Sequence, residues 1–252
     1  MPQSQAASCG RTRCIVALDG VRRMKRREFV GAACTTLIGA LLMRPGEALA
    51  TEGAVAKSFN SVVIVGEDGR ALKAATLKPG DNFLFFYPLV STPAFLIDLG
   101  IEVKGSGTWA GAVGPNRSIV AFQAICTHAL SRPTRKLAPI TYRHVNNAGN
   151  ANKDRVITCC VHGSMFDAAD AGKTLRGPAT APLMAIALEY DAAADTISAT
   201  GTYGPDWLHE KFIQSHKQEL REEFGRSEYR SEVEGTAKIL EIASFSTLIS
   251  SC

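Results

Sequence analysis

Two short segments in the middle of the chain hold paired cysteine and histidine residues. The first is Cys126-Thr-His128, and the second is Cys159-Cys-Val-His162. Two thiolates and two imidazoles are the ligands of a 2Fe–2S cluster in which two histidines replace two cysteines on one iron. The imidazole-bound iron carries less negative charge, so such a cluster accepts an electron more readily than an all-cysteine cluster. The chemistry that these residues predict is one-electron transfer.

Two other interpretations of the same four residues stay open at this point. Two cysteines and two histidines can bind zinc, although zinc loops usually place about two to four residues between paired ligands and Cys126-Thr-His128 has a single one. Cysteines are also often buried and chemically inert. A zinc-bound interaction module would be colourless, so visible absorption and EPR of the reduced protein separate it from an iron–sulfur protein.

Glycine and proline residues close to these segments support the cluster interpretation. Gly163 and Ser164 follow the second pair directly, and Gly177-Pro178 comes further along the chain. Glycines let a backbone approach an inorganic cluster and direct N–H groups at its sulfurs. Pro178 would stiffen a third loop over the site.

Short β-branched and aromatic runs, separated by turn residues, must position these loops. One run, 118–125, leads into the first pair, and another, 155–158, leads into the second. This spacing predicts an all-β, antiparallel architecture. The other predicted strands are 60–65, 83–87, 184–190 and 196–200.

Two regions fall outside this β pattern. Residues 131–154 form a polar, turn-rich insert that predicts a functional or partner-binding loop, with His144 as a surface residue rather than a ligand. From Asp206, apolar residues recur at helical spacing among charged ones, which predicts an amphipathic helix. That helix could pack on its own domain or dock on a partner subunit. Residues 238–249 are apolar and fit either a strand or a helix.

The N-terminus predicts export. Arg26-Arg27-Glu-Phe-Val resembles a twin-arginine motif, and Ala48-Leu49-Ala50 resembles a cleavage site. The apolar stretch 30–43 has 14 residues, fewer than the roughly 20 that span a bilayer. We therefore expect residues 1–50 to be a signal segment, with Met1 or Met24 as the start, and the mature protein to be periplasmic. Only a retained signal would act as a membrane anchor.

Charge and cysteine usage narrow the function further. Residues 1–50 carry eight of the 28 Lys and Arg and three of the 24 Asp and Glu, so without them the net charge falls from +4 to about −1. Nothing basic enough to bind nucleic acid remains. Cys126, Cys159, Cys160 and Cys252 remain, and since Cys126 and Cys159 are proposed ligands, no structural disulfide framework is expected.

Over roughly residues 60–204 the chain resembles the Rieske iron–sulfur proteins and, within them, the small subunit of arsenite oxidase. The resemblance rests on both ligand segments and on flanking residues at 114–121, 166–167, 177–180 and 188–191. It implies that Cys126 and Cys159 ligate one iron and that His128 and His162 ligate the solvent-facing iron.

The resemblance also implies the organisation and the partners. The expected fold is a Rieske-type antiparallel β-sandwich at 51–204, with a six-stranded core and a small cluster-binding subdomain, followed by a helical extension at 205–252. The chain would pass electrons from a large molybdenum subunit to a periplasmic cytochrome c or cupredoxin, with no catalytic residue or substrate site of its own. The alternative is the Rieske subunit of a quinol–cytochrome c reductase.

Two departures from the family pattern concern the cluster. Many Rieske proteins join the ligand loops by a disulfide at the places that Ser131 and Val161 occupy here, so that bridge cannot form. Phe166 stands where high-potential members carry a tyrosine that hydrogen-bonds a ligand sulfur, whereas Ser164, the other usual donor, is present. Fewer hydrogen bonds predict a reduction potential in the lower half of the roughly −150 to +300 mV range.

Overall fold

The computed structural model describes residues 57–145, 153–204 and 206–252. The signal segment predicted at 1–50, its cleavage site and the centre of the polar insert lie outside the described residues. In the part of the chain that is described, no helix is long and apolar enough to cross a membrane.

Strands dominate the described chain. Its strands are β1 (Lys57–Val65), β2 (Asn82–Phe86), β3 (Pro93–Asp98), β4 (Lys104–Ser106), β5 (Trp109–Gly111), β6 (Ile119–Gln123), β7 (Leu137–Ala138), β8 (Ile140–Arg143), β9 (Val156–Cys159), β10 (Ser164–Asp167), β11 (Lys173–Arg176), β12 (Ala185–Asp191), β13 (Thr196–Tyr203), β14 (Thr236–Lys238), β15 (Leu240–Glu241) and β16 (Leu248–Ile249). Its α-helices are α1 (Asp206–Ser215), α2 (Lys217–Phe224) and α3 (Ile242–Phe245). Each strand predicted from the sequence is present, with ends that differ by a few residues.

The main sheet has the strand order β14-β1-β13-β12-β6-β3-β2-β15. Its six inner strands are all antiparallel, in agreement with the six-stranded core that the resemblance implied. The two outer strands come from the C-terminal tail, with β14 parallel to β1 and β15 antiparallel to β2. The tail therefore extends the core sheet at both edges.

A smaller antiparallel sheet, in the order β11-β10-β9-β8, carries the second ligand pair. Side chains alternate between the two faces of the main sheet, since successive residues of a strand point in opposite directions. Leu84 and Phe95 lie in the apolar cluster that also contains Ile157 and Phe166 of the smaller sheet. The neighbouring Phe85 and Leu96 lie in a second cluster. The predicted all-β fold with a small cluster-binding subdomain is confirmed.

The predicted C-terminal helix is confirmed as two helices that meet at His216. Their apolar stripe packs on the chain itself: Leu208, Phe212 and Leu220 are buried together with Ile125 and Leu130 of the first ligand loop and its approach. Trp207 stays outside this cluster and is 58% exposed. Of the two uses open to the helix, packing on its own domain is the one observed.

Candidate metal centre

The first ligand pair lies on a tight loop after β6. Leu130 N–H donates to the Cys126 carbonyl oxygen at 2.8 Å, and Cys126 N–H donates to the Ser131 carbonyl oxygen at 2.9 Å. These two bonds close the loop on itself. The Cys126 side chain is buried beneath it, while His128 is exposed on its outside.

The second pair lies on the hairpin between β9 and β10. Cys159 is the last residue of β9 and is opposite Ser164, the first residue of β10. Gly163 N–H donates to the Cys159 carbonyl oxygen at 3.0 Å, and its φ of +75° suits glycine far better than other residues. Cys159 is buried, whereas His162 is exposed. Both loops thus direct a thiol inward and an imidazole outward.

The fold brings the four sequence-predicted ligands together as two pairs. The thiols of Cys126 and Cys159 hydrogen-bond each other. The imidazoles of His128 and His162 have ring centroids 4.8 Å apart and are nearly perpendicular, at 89°. Among the described residues, no three His, Cys, Asp or Glu side chains converge on one point as the ligands of a single metal ion would. Thiols within and imidazoles at the surface are the division that a two-iron cluster needs.

Hydrogen bonds prepare the thiol pair for metal binding. The Cys159 thiol, the backbone N–H groups of His128 and Ala129, and the Ser164 hydroxyl all stabilise a thiolate on Cys126 and together lower its pKa to about 6. The same bond to Cys126, together with burial, raises the pKa of Cys159. One proton is thus lost easily and the second is retained until a cation replaces it.

A third loop closes the site. Gly177 has φ +92°, and a Cβ there would lie 2.5 Å from Ser164 Cα, so a larger residue cannot approach the hairpin this closely. Ser164 Oγ accepts the Ala179 N–H at 3.3 Å, and Thr127 Oγ1 donates to the Ala181 carbonyl oxygen at 2.6 Å. The sequence-predicted Ser164 and Gly177 therefore join the third loop to the second ligand loop, and Thr127 joins it to the first. Pro178 is exposed beside them.

The polar insert contributes no ligand among its described residues. His144 is partly buried, and its Nδ1 lies 3.2 Å from Tyr142 Oη, next to the smaller sheet rather than in the ligand pairs. It is thus less exposed than the surface position predicted from the sequence, since a tyrosine two residues earlier on β8 holds it.

One prediction about the cysteines is wrong. Cys160 and Cys252 form a disulfide with Cα atoms 5.6 Å apart, although no structural disulfide was expected. The sequence gives no sign of this pairing, because the two residues are 92 positions apart and meet only when the tail folds back to the second ligand loop.

The structure also reveals an ion pair behind the first ligand loop that sequence reasoning missed. Arg132 Nη2 lies 2.9 Å from Glu223 Oε2, and the Arg132 side chain is only 3% exposed. Arg132 Nη1 also donates to the Pro133 carbonyl oxygen at 3.2 Å. Glu223 belongs to α2, so this contact fixes the helical tail to the loop that carries His128.

Comparison with known proteins assigns this fold and site to a class. Residues 102–189 match the Rieske [2Fe-2S] domain. The chain is 31% identical to iodate reductase subunit IdrB of Denitromonas iodatirespirans over 183 residues, which cover 72% of this chain and 82% of the relative. It is also 26% identical to the soluble domain of Rieske protein II (soxF) from Sulfolobus acidocaldarius, covering 62% of this chain and 83% of that one with a TM-score of 0.44.

The chain therefore belongs to the Rieske iron–sulfur proteins, and its prosthetic group is a Rieske-type 2Fe–2S cluster. The paired donors fit this group: two buried thiols that hydrogen-bond each other, and two exposed imidazoles whose rings are in contact. Its role is one-electron transfer.

Proposed function

We propose that Cys126 and Cys159 hold the inner iron of the cluster and that His128 and His162 hold the outer iron. When bound, the cluster accepts and releases one electron. The chain supplies the Ser164 hydroxyl and backbone N–H groups that stabilise charge on the sulfurs. The imidazole pair at the surface is the observation that supports electron exchange with a partner, because it brings the redox group within reach of a docked protein.

We further propose that the chain is the electron-transfer subunit of an exported oxidoreductase whose large subunit contains molybdenum. Two observations support this proposal: the resemblance to the small subunit of arsenite oxidase, and the similarity to a subunit of iodate reductase. The second electron partner would be a periplasmic cytochrome c or cupredoxin. Substrate chemistry would take place on the large subunit, because electron transfer requires no substrate site in this chain.

The direction of electron flow distinguishes two forms of this proposal. In an arsenite-oxidase-like complex, electrons leave the large subunit through this chain to the carrier. In an iodate-reductase-like complex, the carrier supplies electrons that this chain passes to the large subunit. The second form is favoured by the relative that is 31% identical over most of both chains.

Co-purification with spectroscopy tests the proposal. The tagged protein should carry a molybdenum subunit with it, detected by metal analysis, whereas cytochrome b in the eluate would instead indicate a quinol–cytochrome c reductase. Arsenite added to the oxidised complex should produce the EPR signal of the reduced Rieske cluster in the first form. Iodate added to the reduced complex should remove that signal in the second form. The isolated subunit, as a control, should respond to neither.

Export provides a separate prediction. Replacing both Arg26 and Arg27 by lysine should keep the protein in the cytoplasm and lower the periplasmic amount by about tenfold or more, since the twin-arginine pathway reads that pair. The matched control replaces Arg44, which lies in the same segment downstream of either possible start, by lysine and should leave export unchanged. Immunoblots of periplasmic and cytoplasmic fractions measure the result. Equal export of both variants would contradict the predicted use of the twin-arginine pathway.

The Cys160–Cys252 disulfide supports the proposal that the protein is exported, because disulfides persist in oxidising compartments.

The missing tyrosine predicts how the reduction potential can be raised. Phe166 is fully buried in the core shared by both sheets. Phe166→Tyr should raise the potential by roughly 40 mV, if its hydroxyl bonds a ligand sulfur about 1 kcal/mol more strongly in the reduced state. Tyr142→Phe is the control, because that hydroxyl bonds His144 instead. A redox titration in which Phe166→Tyr has the wild-type potential would disprove the effect.

A further inference from the structure

The end of the chain returns to the centre of the molecule. Cys252 is bonded to Cys160, the residue that directly follows the predicted ligand Cys159. This disulfide joins the C-terminus to the hairpin that carries the second ligand pair. It joins residues 92 positions apart in the sequence, and the segment between them contains the third loop and the helical tail.

The same terminal segment also binds the chain that leaves the first ligand loop. Strand β16 is parallel to β7. Thr247 N–H donates to the Arg135 carbonyl oxygen at 2.9 Å, and Ser250 N–H donates to the Ala138 carbonyl oxygen at 3.0 Å. Ser246 Oγ donates to the Thr134 carbonyl oxygen at 2.7 Å. We call residues 246–252 the C-terminal clasp.

The clasp and the second loop meet the same short stretch of backbone. Cys160 N–H donates to the Pro139 carbonyl oxygen at 2.7 Å, one residue beyond the last backbone group that the clasp binds. The stretch 134–139 is thus held by the clasp along most of its length and by the second ligand loop at its end. The disulfide connects the clasp to that loop covalently, so the contacts close a ring around the base of the site.

This ring adds a covalent fastening to the hydrogen bonds that the third loop makes with the two ligand loops. Cys126 and Cys159 are free thiols, and Ser131 and Val161 cannot form a disulfide between the two loops. Val161 is 47% exposed, and both imidazoles are at the surface. Exposed loops with few buried contacts open locally at low free-energy cost. The fastening at Cys160 therefore limits how far the tip of the second loop can open.

We propose that the Cys160–Cys252 disulfide is a positioning element for the Rieske cluster: it fastens the second ligand loop to the clasp and so to the first. Cys252 is then a positioning residue at the metal centre. The inference concerns retention of the cluster and holds for either direction of electron flow.

The experiment compares Cys160→Ser, Cys252→Ser and the double variant with Ser251→Ala, an exposed neighbour that serves as the control. Cluster loss is followed as bleaching of visible absorption in the presence of an iron chelator. Each cysteine variant should lose the cluster about tenfold faster than wild type, because the bridge restricts local opening of the loop. The three rates should agree, since one disulfide is one interaction. Ser251→Ala should match wild type.

Hydrogen exchange distinguishes a local role from general destabilisation. In Cys252→Ser, exchange should accelerate at 134–139 and 159–163, and it should remain at wild-type rates in β12 and β13 of the main sheet. Three results would overturn the proposal: wild-type cluster retention in Cys252→Ser, uniformly faster exchange, or alkylation of both cysteines in wild-type protein denatured without reductant. Faster loss in Cys160→Ser than in the double variant would also overturn it.

Discussion

Alanine at either Cys126 or Cys159 will yield protein that contains no 2Fe–2S cluster. Each change removes one of two thiolates from the proposed inner iron. Among the described residues no other free cysteine is present, because Cys160 and Cys252 are joined to each other. The iron that keeps only one thiolate then has a buried methyl group where its second thiolate was, and no side chain replaces that ligand. Iron content, visible absorption and EPR of anaerobically purified protein measure the loss.

Alanine at His128 or His162 will also remove the Rieske signal. The proposed outer iron would lose one of its two imidazoles, and with it the charge difference between the irons that distinguishes this cluster from an all-cysteine one. His144→Ala is the matched control, since that imidazole bonds Tyr142 and lies apart from the ligand pairs. The control should retain iron and the full EPR signal. A Rieske signal in either ligand variant would refute the proposed ligand assignment.

Replacing Glu223 by leucine will destabilise the protein by about 3 kcal/mol, the lower end of the usual cost of breaking a buried ion pair. The reason is the residue left behind: the Arg132 guanidinium is 3% exposed and would keep only the Pro133 carbonyl as a partner. The cost falls at the lower end because Glu223 itself is 23% exposed. Urea unfolding monitored by circular dichroism measures the change in the free energy of unfolding.

Two further variants test the origin of this cost. Arg132→Met combined with Glu223→Leu should recover most of the lost stability, since no unpaired charge then remains in the interior. Glu210→Gln is the surface control: its ion pair with Arg230 is about half exposed and should contribute less than about 1 kcal/mol. Equal losses in Glu223→Leu and Glu210→Gln, or no recovery in the double variant, would show that burial of Arg132 is not the cause.

The sequence was sufficient to predict the local β structure and the class of cofactor. Runs such as 83–87 and 184–190 combine β-branched or aromatic residues with adjacent turn signals, and both form strands of the main sheet. The ligand pairs were recognisable because cluster chemistry demands thiolates and imidazoles at close spacing on short loops. Ser164 was singled out because it lies two residues after His162, and Gly177 because it begins a glycine–proline pair.

The tail shows where such reasoning ends. Helical periodicity identified α1 and α2 but left open whether their apolar stripe binds a partner or packs on its own domain. In the structure the stripe packs on its own domain, against Ile125 and Leu130. The short strands β14 and β15 carry no periodic pattern of their own. They are strands because the edges of the main sheet offer unpaired backbone groups to them.

The amino-acid sequence by itself determined the chemistry of this protein, since the types of four side chains and their spacing specify a cluster and one-electron transfer. Only the tertiary structure decided what supports that chemistry: the pairing of Arg132 with Glu223 and the disulfide between Cys160 and Cys252. The physical reason is distance along the chain. Ligands on one short loop are local, whereas these supporting contacts join residues about 90 positions apart, and long-range contacts arise only from the packing of the whole fold.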